Sequence, residues 1–351
     1  KCRNISIDQA KELLQEKPFV IRMKIPSTGI TSVQDIIRGN VTFQNELIDD
    51  QILFKRDGFP TYHLANVVDD HLMEICHVIR GEELLQSTPK HILLYKYFNW
   101  DIPKSAHLPL ILNPDRSKLS KRQGDVAVED YKDRGYLPRA LLNFVALLGW
   151  NRGDDQEIFS LTELIDSFTL EKVSKSGAIF NKEKLNWMNG TYFRNLPEEE
   201  YLSIAIQFLK DIDSDARMDE DYKKMALAIQ NSLVTINDIK ERSAIFFKEK
   251  IEYYSDEALE WVKKPESKNI YKIMINELEK LVGTRCSVST IDSFKQILTT
   301  VQKTTGIKGK ELWMPIRSAI TGLTEGPDLP LVIEILGEEK ILNFLIQTNN
   351  V

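Results

Sequence analysis

Apolar positions in the opening part of the chain come in short runs broken by turn residues. In residues 7–15, Ala10, Leu13 and Leu14 fall on one helical face and Asp8 stands where it can cap the first turn, which predicts a short helix. Phe19-Val20-Ile21-Arg22-Met23-Lys24-Ile25 alternates toward its end and predicts a strand. Asp57-Gly58 is a turn signal that closes a hairpin-like region beginning near Val41, and residues 62–66 are placed at a strand end. His77-Val78-Ile79 predicts a short strand that stops at Arg80-Gly81. Ser87-Thr88-Pro89 has the form of a helix start, a hydroxyl cap followed by proline, with Leu93, Leu94, Tyr97 and Phe98 sharing one face beyond it. Residues 108–112 predict another buried strand, ending in the turn residues Asn113-Pro114-Asp115. Short apolar strands alternating with helices imply half of a parallel α/β sheet.

After Gly135 the period changes. Residues 138–148 form a strongly apolar helix stopped by Gly149, and the rest is almost wholly helical in period. The helices are punctuated by Pro197, Pro265, Gly283, Gly306, Gly322 and Gly326-Pro327, so the last ~150 residues predict an all-α domain with a charged surface. No internal repeat is present, and no apolar run approaches the roughly 18–20 residues of a membrane helix.

Composition narrows the class. A chain of 351 residues exceeds what one core organises, and 42% hydrophobic with 28% charged residues excludes a disordered or collagen-like polymer. Cys2, Cys76 and Cys286 are widely spaced and odd in number, so neither a disulfide framework nor a zinc ribbon can be built, and no protein-bound zinc is expected. The net charge of −6 argues against bulk electrostatic capture of nucleic acid, which leaves local basic clusters as the only means of holding RNA.

The segment richest in chemistry is Leu112-Asn113-Pro114-Asp115-Arg116-Ser117-Lys118-Leu119-Ser120-Lys121-Arg122, where a strand ends in a turn and four cations follow within seven positions. A basic loop at the carboxyl end of a parallel strand is where α/β folds bind ligands, and its ammonium groups can neutralise phosphate charge. By composition alone a solvated basic loop is the better reading; the order of the residues changes that. Lys118-Leu119-Ser120-Lys121-Arg122 resembles the KMSKS signature of class I aminoacyl-tRNA synthetases in a KLSKR form. Upstream, Asp57-Gly58-Phe59-Pro60-Thr61-Tyr62-His63-Leu64-Ala65-Asn66, His77-Val78-Ile79-Arg80-Gly81-Glu82-Glu83 and Ser87-Thr88-Pro89-Lys90-His91 resemble the second half of the glutamyl-tRNA synthetase catalytic domain. Downstream, Leu147-Leu148-Gly149-Trp150, Ser176-Gly177-Ala178-Ile179-Phe180, Met314-Pro315-Ile316-Arg317 and Thr321-Gly322 are similar to the same family.

The resemblance implies an α/β plus all-α fold: the second half of a class I Rossmann-type catalytic domain, a stem-contact region and a C-terminal helical anticodon-binding domain. On this division residues 1–56 are a remnant of the insertion that holds the acceptor end. Residues 57–112 are the half-domain, 113–196 the KLSKR loop and stem-contact region, and 197–351 the anticodon-binding domain. No histidine lies in the family's HIGH signature, so the chain is expected to lack the amino-terminal part and to be inactive alone in ATP–pyrophosphate exchange. The implied activity is ATP-dependent attachment of glutamate to tRNA(Glu) through a glutamyl-adenylate, by a bacterial or mitochondrial type of enzyme, a monomer in bacterial cytoplasm or mitochondrial matrix, with tRNA(Gln) an open second acceptor and no membrane partner. The helical tail favours the glutamyl over the glutaminyl enzymes, which end in β-barrels.

The resemblance assigns Tyr62, His63, Leu64, Ala65, Asn66 and Arg80 to glutamate binding. Arg80 is the sharpest of these, because a planar fork donates two parallel hydrogen bonds to a carboxylate and Lys does not. The plain alternative for Arg80 is a salt bridge to Glu82 or Glu83. Glu83, Lys118, Leu119, Ser120, Lys121 and Arg122 are assigned to ATP, with Lys121 meeting phosphate as pyrophosphate leaves and Lys118 and Ser120 shaping the loop. Mg2+ is expected with ATP rather than in a carboxylate cage, and Asp69-Asp70 is read as a helix cap, not a metal site. Arg317 is assigned to the anticodon loop, against a surface pairing with Glu325; Lys303, Lys308 and Lys310, near it in the sequence, are cations suited to phosphate contacts. The rival reading is a catalytically inactive tRNA-binding protein derived from such an enzyme, and a second is a homologue that modifies a tRNA base. The intact KLSKR signature and Arg80 speak against the first, the long helical tail against the second.

Overall fold

The computed structural model describes residues 2–16, 18–119, 127–216, 218–251, 254–282 and 290–351. Ser120, Lys121, Arg122 and Gly283 therefore lie outside the described residues. The chain forms two units, residues 1–126 with 142–181, and residues 127–141 with 182–351.

The first unit opens with α1 (Ile7–Glu16). Its cap is Ser6, not Asp8: Ser6 Oγ accepts from Gln9 N at 3.2 Å and Gln9 Oε1 accepts from Ser6 N at 3.3 Å, a reciprocal box. The strand predicted over residues 19–25 shrinks to β1 (Ile21–Arg22), antiparallel to a short β4 (Ile52–Phe54). One further backbone bond, Met23 N to Gln51 O, follows the pairing, which then ends where Ile25 N turns to the Asp50 carboxylate at 2.9 Å. Between them β2 (Ile30–Asp35) and β3 (Gly39–Gln44) make the actual hairpin, closed at 36–38 by Asp35 Oδ1, which accepts from Ile37 N and Arg38 N. Asp57-Gly58 does turn the chain, but it links β4 to a single bridge at Pro60 rather than closing a hairpin from Val41.

Residues 62–66 are not a strand end. They begin α2 (Tyr62–Leu72), because Leu64, Val67 and Val68 recur at helical spacing behind Pro60-Thr61. Asp69 and Asp70 fall inside that helix, so neither caps it. β5 (His77–Gly81) includes Arg80. In α3 (Thr88–Phe98) the Ser87 hydroxyl makes no cap bond, since Glu82–Ser87 is already a tight helical turn and Ser87 has helical angles. The buried face of α3 runs through Thr88, His91, Ile92 and Tyr95, while Tyr97 and Phe98 are exposed, against the predicted grouping. The strand predicted over 108–112 is two: β6 (Lys104–Leu108) and β7 (Ile111–Leu112), divided at Pro109, which has no N–H for a ladder.

β6 is the spine of a four-stranded sheet ordered β3-β2-β6-β5, parallel to β5 from His77↔Lys104 to Gly81↔Leu108 and to β2 at Asp35↔Ser105. The sheet is thus mixed rather than purely parallel. Helices α2 and α3 share a core with Met23, Ile25, Leu53, Val67, Leu93 and Leu94, and a second core gathers Ile37, Ala106, Trp150, Phe159, Leu164 and Val173. β7 leaves the main sheet and pairs in parallel with β8 (Ala178–Ile179). Gly177 permits this: a Cβ there would lie 2.6 Å from Leu112 Cδ1.

The second unit includes α4 (Val128–Asp133) and the start of α5 (Pro138–Ala146), which ends before Gly149; α6 (Leu161–Ser167) belongs to the first unit. It continues with α7 (Lys182–Arg194), α8 (Glu198–Leu209), α9 (Glu220–Gln230), α10 (Asp238–Phe247) and α11 (Asp256–Lys263). It ends in α12 (Pro265–Val282), α13 (Thr290–Thr305), α14 (Lys310–Thr321) and α15 (Leu329–Asn349). The punctuation holds where it is described: Pro197 precedes α8, Pro265 opens α12, and Gly322 ends α14 in the left-handed conformation. Two irregularities were not legible as such, Pro315 inside α14 and the non-helical Gly337 inside α15. No helix among the described residues is long and apolar enough to cross a membrane.

Candidate active site

A cleft of ≈ 290 Å³, its open mouth included, lies between β5 and helices α2 and α3 and is lined by Asn66, Asp70, Arg80, Thr88, His91 and Tyr95 among others. Arg80, fourth residue of β5, puts its guanidinium among three neutral groups. Nη1 stands 3.5 Å from the Tyr62 hydroxyl, and Nη2 is 3.4 Å from Thr88 Oγ1 and 3.1 Å from His91 Nδ1. The salt bridge to Glu82 or Glu83 does not form. Glu82 pairs with Arg38 at 2.5 Å and Glu83 with Lys118 at 3.4 Å, and among the described residues no carboxylate pairs with Arg80.

The first turns of α2 bring some predicted residues to the cleft and not others. Asn66 lines it, but its Nδ2 donates to Asp70 at 3.2 Å. Burial raises the Asp70 carboxyl, against the lowering effect of Arg80 and of Asn66. Leu64 packs on the core with Leu93 and Leu94, and Ala65 uses its N–H within the helix on Thr61 O, so neither lines the cleft. His63 sits behind, its Nδ1 2.9 Å from His91 Nε2.

Thr88 and His91 are the residues that pattern reading missed, along with the support beneath them. Thr88 Oγ1 lies 3.1 Å from His107 Nε2, and His107 Nδ1 donates to Asp35 at 2.6 Å, both side chains fully buried. Burial alone would raise the Asp35 carboxyl, but hydrogen bonds from His107 and from the Arg38 and His107 backbone outweigh it and hold it low. A signal was present: Thr88 and His91 are polar residues one helical turn apart on the buried face of α3.

His91 is pushed down to about 3, first by burial and then by the neighbouring charge of Arg80, and burial lowers His63 as well. The unfolded chain, with histidine near 6.5, therefore takes up this proton first. The stability held by neutral His91 is present above the unfolded value and is lost as pH falls from there toward 3. Acidifying from pH 7 to pH 5 should cost about 2 kcal/mol through this one group. Urea unfolding at the two pH values should show a larger loss in the parent protein than in His91→Asn; equal losses would count against a neutral buried ring.

Residues 113–119, which lead into the KLSKR motif, leave β7 in a tight turn. Asn113 N bonds Ser117 O at 2.8 Å, Asp115 Oδ1 accepts from Ser117 N at 2.9 Å, and Leu119 N returns to Ile111 O at 3.0 Å. The turn requires a left-handed Arg116, at φ +66°, and it sets Lys118 opposite Glu83. Two residues assigned to ATP from separate motifs thus meet within three positions of Arg80. Among the described residues no three His, Cys, Asp or Glu side chains gather in a way that could hold a metal ion.

In the second unit Arg317 is half-buried in α14 and donates from Nη1 to Pro327 O at 2.9 Å, rather than pairing with Glu325. Burial lowers its pKa, with Asp328 opposing.

A cleft against the parallel strands β5 and β6, a KLSKR motif in the sequence and a second unit built of helices are the features of a class I aminoacyl-tRNA synthetase. The family model for class I tRNA synthetases (E and Q), catalytic domain, matches residues 1–187, and the one for the anticodon binding domain matches residues 199–345. The glutamate–tRNA ligase of Alkaliphilus metalliredigens is 45% identical over 346 residues, covering 95% of this chain and 69% of that protein. That of Chloroherpeton thalassium is 46% identical over 95% of this chain and 67% of its own length. The crystal structure of a glutamate tRNA ligase from Elizabethkingia meningosepticum, in complex with its amino acid, matches all of this chain and 72% of that one, at a TM-score of 0.80 and 33% identity. The chain belongs to the glutamate–tRNA ligase family.

Proposed function

We propose that this chain takes part in ATP-dependent attachment of glutamate to tRNA(Glu). The glutamate α-carboxylate attacks the α-phosphorus of ATP, pyrophosphate leaves, and the acyl group of the adenylate passes to the terminal adenosine of the tRNA. The observation that carries this reading is the guanidinium of Arg80 near the end of β5, held by Tyr62, Thr88 and His91 and in no ion pair among the described residues. A charge kept open in that way suits the side-chain carboxylate of the substrate. Tyr62 and Asn66 join it in the amino-acid cleft. Glu83, Lys118 and the rest of the KLSKR segment serve ATP, and Mg2+ arrives with the ATP phosphates. The bacterial relatives favour a cytoplasmic enzyme, and a monomer is the simplest assembly.

The test is charging of tRNA(Glu) and tRNA(Gln) with labelled glutamate, glutamine and aspartate, by protein that bears these residues. Glutamate-dependent charging that requires ATP is expected. Charging with glutamine in preference to glutamate would overturn the assignment, and tight tRNA binding with no charging would favour the inactive RNA-binding reading.

For the helical unit we propose that Arg317 meets the anticodon loop with the N–H groups not used on Pro327, and that Lys303, Lys308 and Lys310 contact phosphate. Arg317→Ala should weaken tRNA(Glu) binding roughly tenfold and narrow its margin over an anticodon-swapped tRNA, while Lys308→Ala weakens both RNAs alike and flattens the salt dependence. Binding curves for the two tRNAs at two salt concentrations decide it. An equal loss for both RNAs in Arg317→Ala would leave the arginine only its structural bond to Pro327.

A further inference from the structure

The three neutral groups around Arg80 are not equivalent. The hydroxyls of Tyr62 and Thr88 stand at 3.5 and 3.4 Å, the outer edge of hydrogen bonding, whereas His91 Nδ1 is 3.1 Å from Nη2. A guanidinium has no lone pair to offer, so His91 Nδ1 must accept, and the ring carries its single proton on Nε2. That nitrogen is 2.9 Å from His63 Nδ1, which must accept in turn. The order of donation runs from Arg80 to His91 to His63, and each ring fixes the tautomer of the next.

The type of acceptor matters as much as its place. A carboxylate at this position would hold the guanidinium more strongly, but it would neutralise the charge and occupy the fork that an incoming carboxylate needs. Neutral imidazole accepts one N–H and leaves the charge whole. His91 is well placed to stay neutral, being buried on α3 beside a permanent cation.

We propose that His91 is the positioning residue for Arg80: its Nδ1 lone pair aims the guanidinium fork at the side-chain carboxylate of glutamate without neutralising it, and His63 locks the tautomer that makes this possible. The proposal rests on Arg80 being the carboxylate-binding residue, and the variants separate the two ideas. Asn can place its amide oxygen where imidazole Nδ1 stands, whereas Gln places its amide at the Nε2 position. In steady-state charging with glutamate, ATP and tRNA varied in turn, His91→Asn should keep the glutamate KM within about threefold of the parent. His91→Gln should raise it by roughly tenfold, with the ATP KM unchanged within about twofold. A ring that merely fills space would make the two variants alike.

Arg80→Lys is the control. If it raises the glutamate KM while His91→Asn and His91→Gln behave identically, the positioning role is wrong and the reading of Arg80 stands. If Arg80→Lys leaves the glutamate KM unchanged, the reading of Arg80 itself falls, and the role of His91 with it. Should the His91 variants fail to fold, the less buried partner carries the same test. His63→Leu removes the acceptor for His91 Nε2–H and should raise the glutamate KM several-fold, while His63→Asn should restore it; no rise in His63→Leu would overturn the proposal.

Discussion

Lys121→Ala should slow glutamyl-adenylate formation by about 10²–10³, the scale for a lost donor to charge that develops only in the transition state. Pyrophosphate departs as an anion, and little proton chemistry accompanies the step, so cations aimed at the phosphates supply most of the stabilisation the protein can offer. Lys118 is already engaged with Glu83 at 3.4 Å, and the next residue is held by the bond from Leu119 N to Ile111 O. The second lysine of the signature is the one this reading assigns to the departing pyrophosphate. Single-turnover adenylate formation should show the loss in rate with little change in glutamate affinity, and Lys121→Arg should recover part of it. A variant that raises glutamate KM at an unchanged rate would move Lys121 out of the phosphate-binding role.

The second large effect is expected at Arg80. Lysine there keeps the charge and loses the planar fork, and a point charge cannot donate to Tyr62, Thr88 and His91 while presenting two parallel N–H groups to a carboxylate. Hydrogen bonds to charged groups contribute about 1.5–3 kcal/mol each, so Arg80→Lys should raise the glutamate KM roughly 10–100-fold. ATP binding, built on Glu83 and the KLSKR segment in this reading, should change far less. Matched increases in the glutamate and ATP KM values would show that the substitution disturbs the cleft as a whole.

The two substitutions draw on residues of different legibility. Arg80 is legible in the sequence because a short apolar strand leads to it, and β5 is that strand. The residues that hold it did not stand out. Thr88 was read as part of a helix start, and His91 passed as one polar residue among several. Their polarity acquires meaning only once α3 is laid on the sheet with that face inward, beside His63 from α2 and above His107 from β6. Side chains from positions 63, 80, 88, 91 and 107 meet through four separate elements, and no local period encodes such a meeting.

The same division explains the errors in the elements. Asp8 and Ser6 both suit a helix cap, and the choice fell to Ser6 because Gln9 can answer it. A leucine-rich run over 108–112 has the composition of one strand, yet Pro109 ends its pairing with β5 and the remainder finds β8, more than sixty residues further on. Residues 62–66 were assigned by what precedes them, although Leu64, Val67 and Val68 already carried the helical interval.

What this sequence determines by itself is whatever depends on short-range geometry. Apolar intervals of three and four define the helical unit, prolines and glycines set its breaks at Pro197, Pro265 and Gly322, and the order Lys118-Leu119-Ser120-Lys121-Arg122 specifies a chemistry. The tertiary structure decides which charges are answered and which are left open. Glu82 turns to Arg38, Glu83 turns to Lys118, and Arg80 is left with neutral partners, a distribution set by distances between strands and helices far apart in the chain. Because an ion pair forms or fails over a few ångströms, that choice is invisible until the elements have packed.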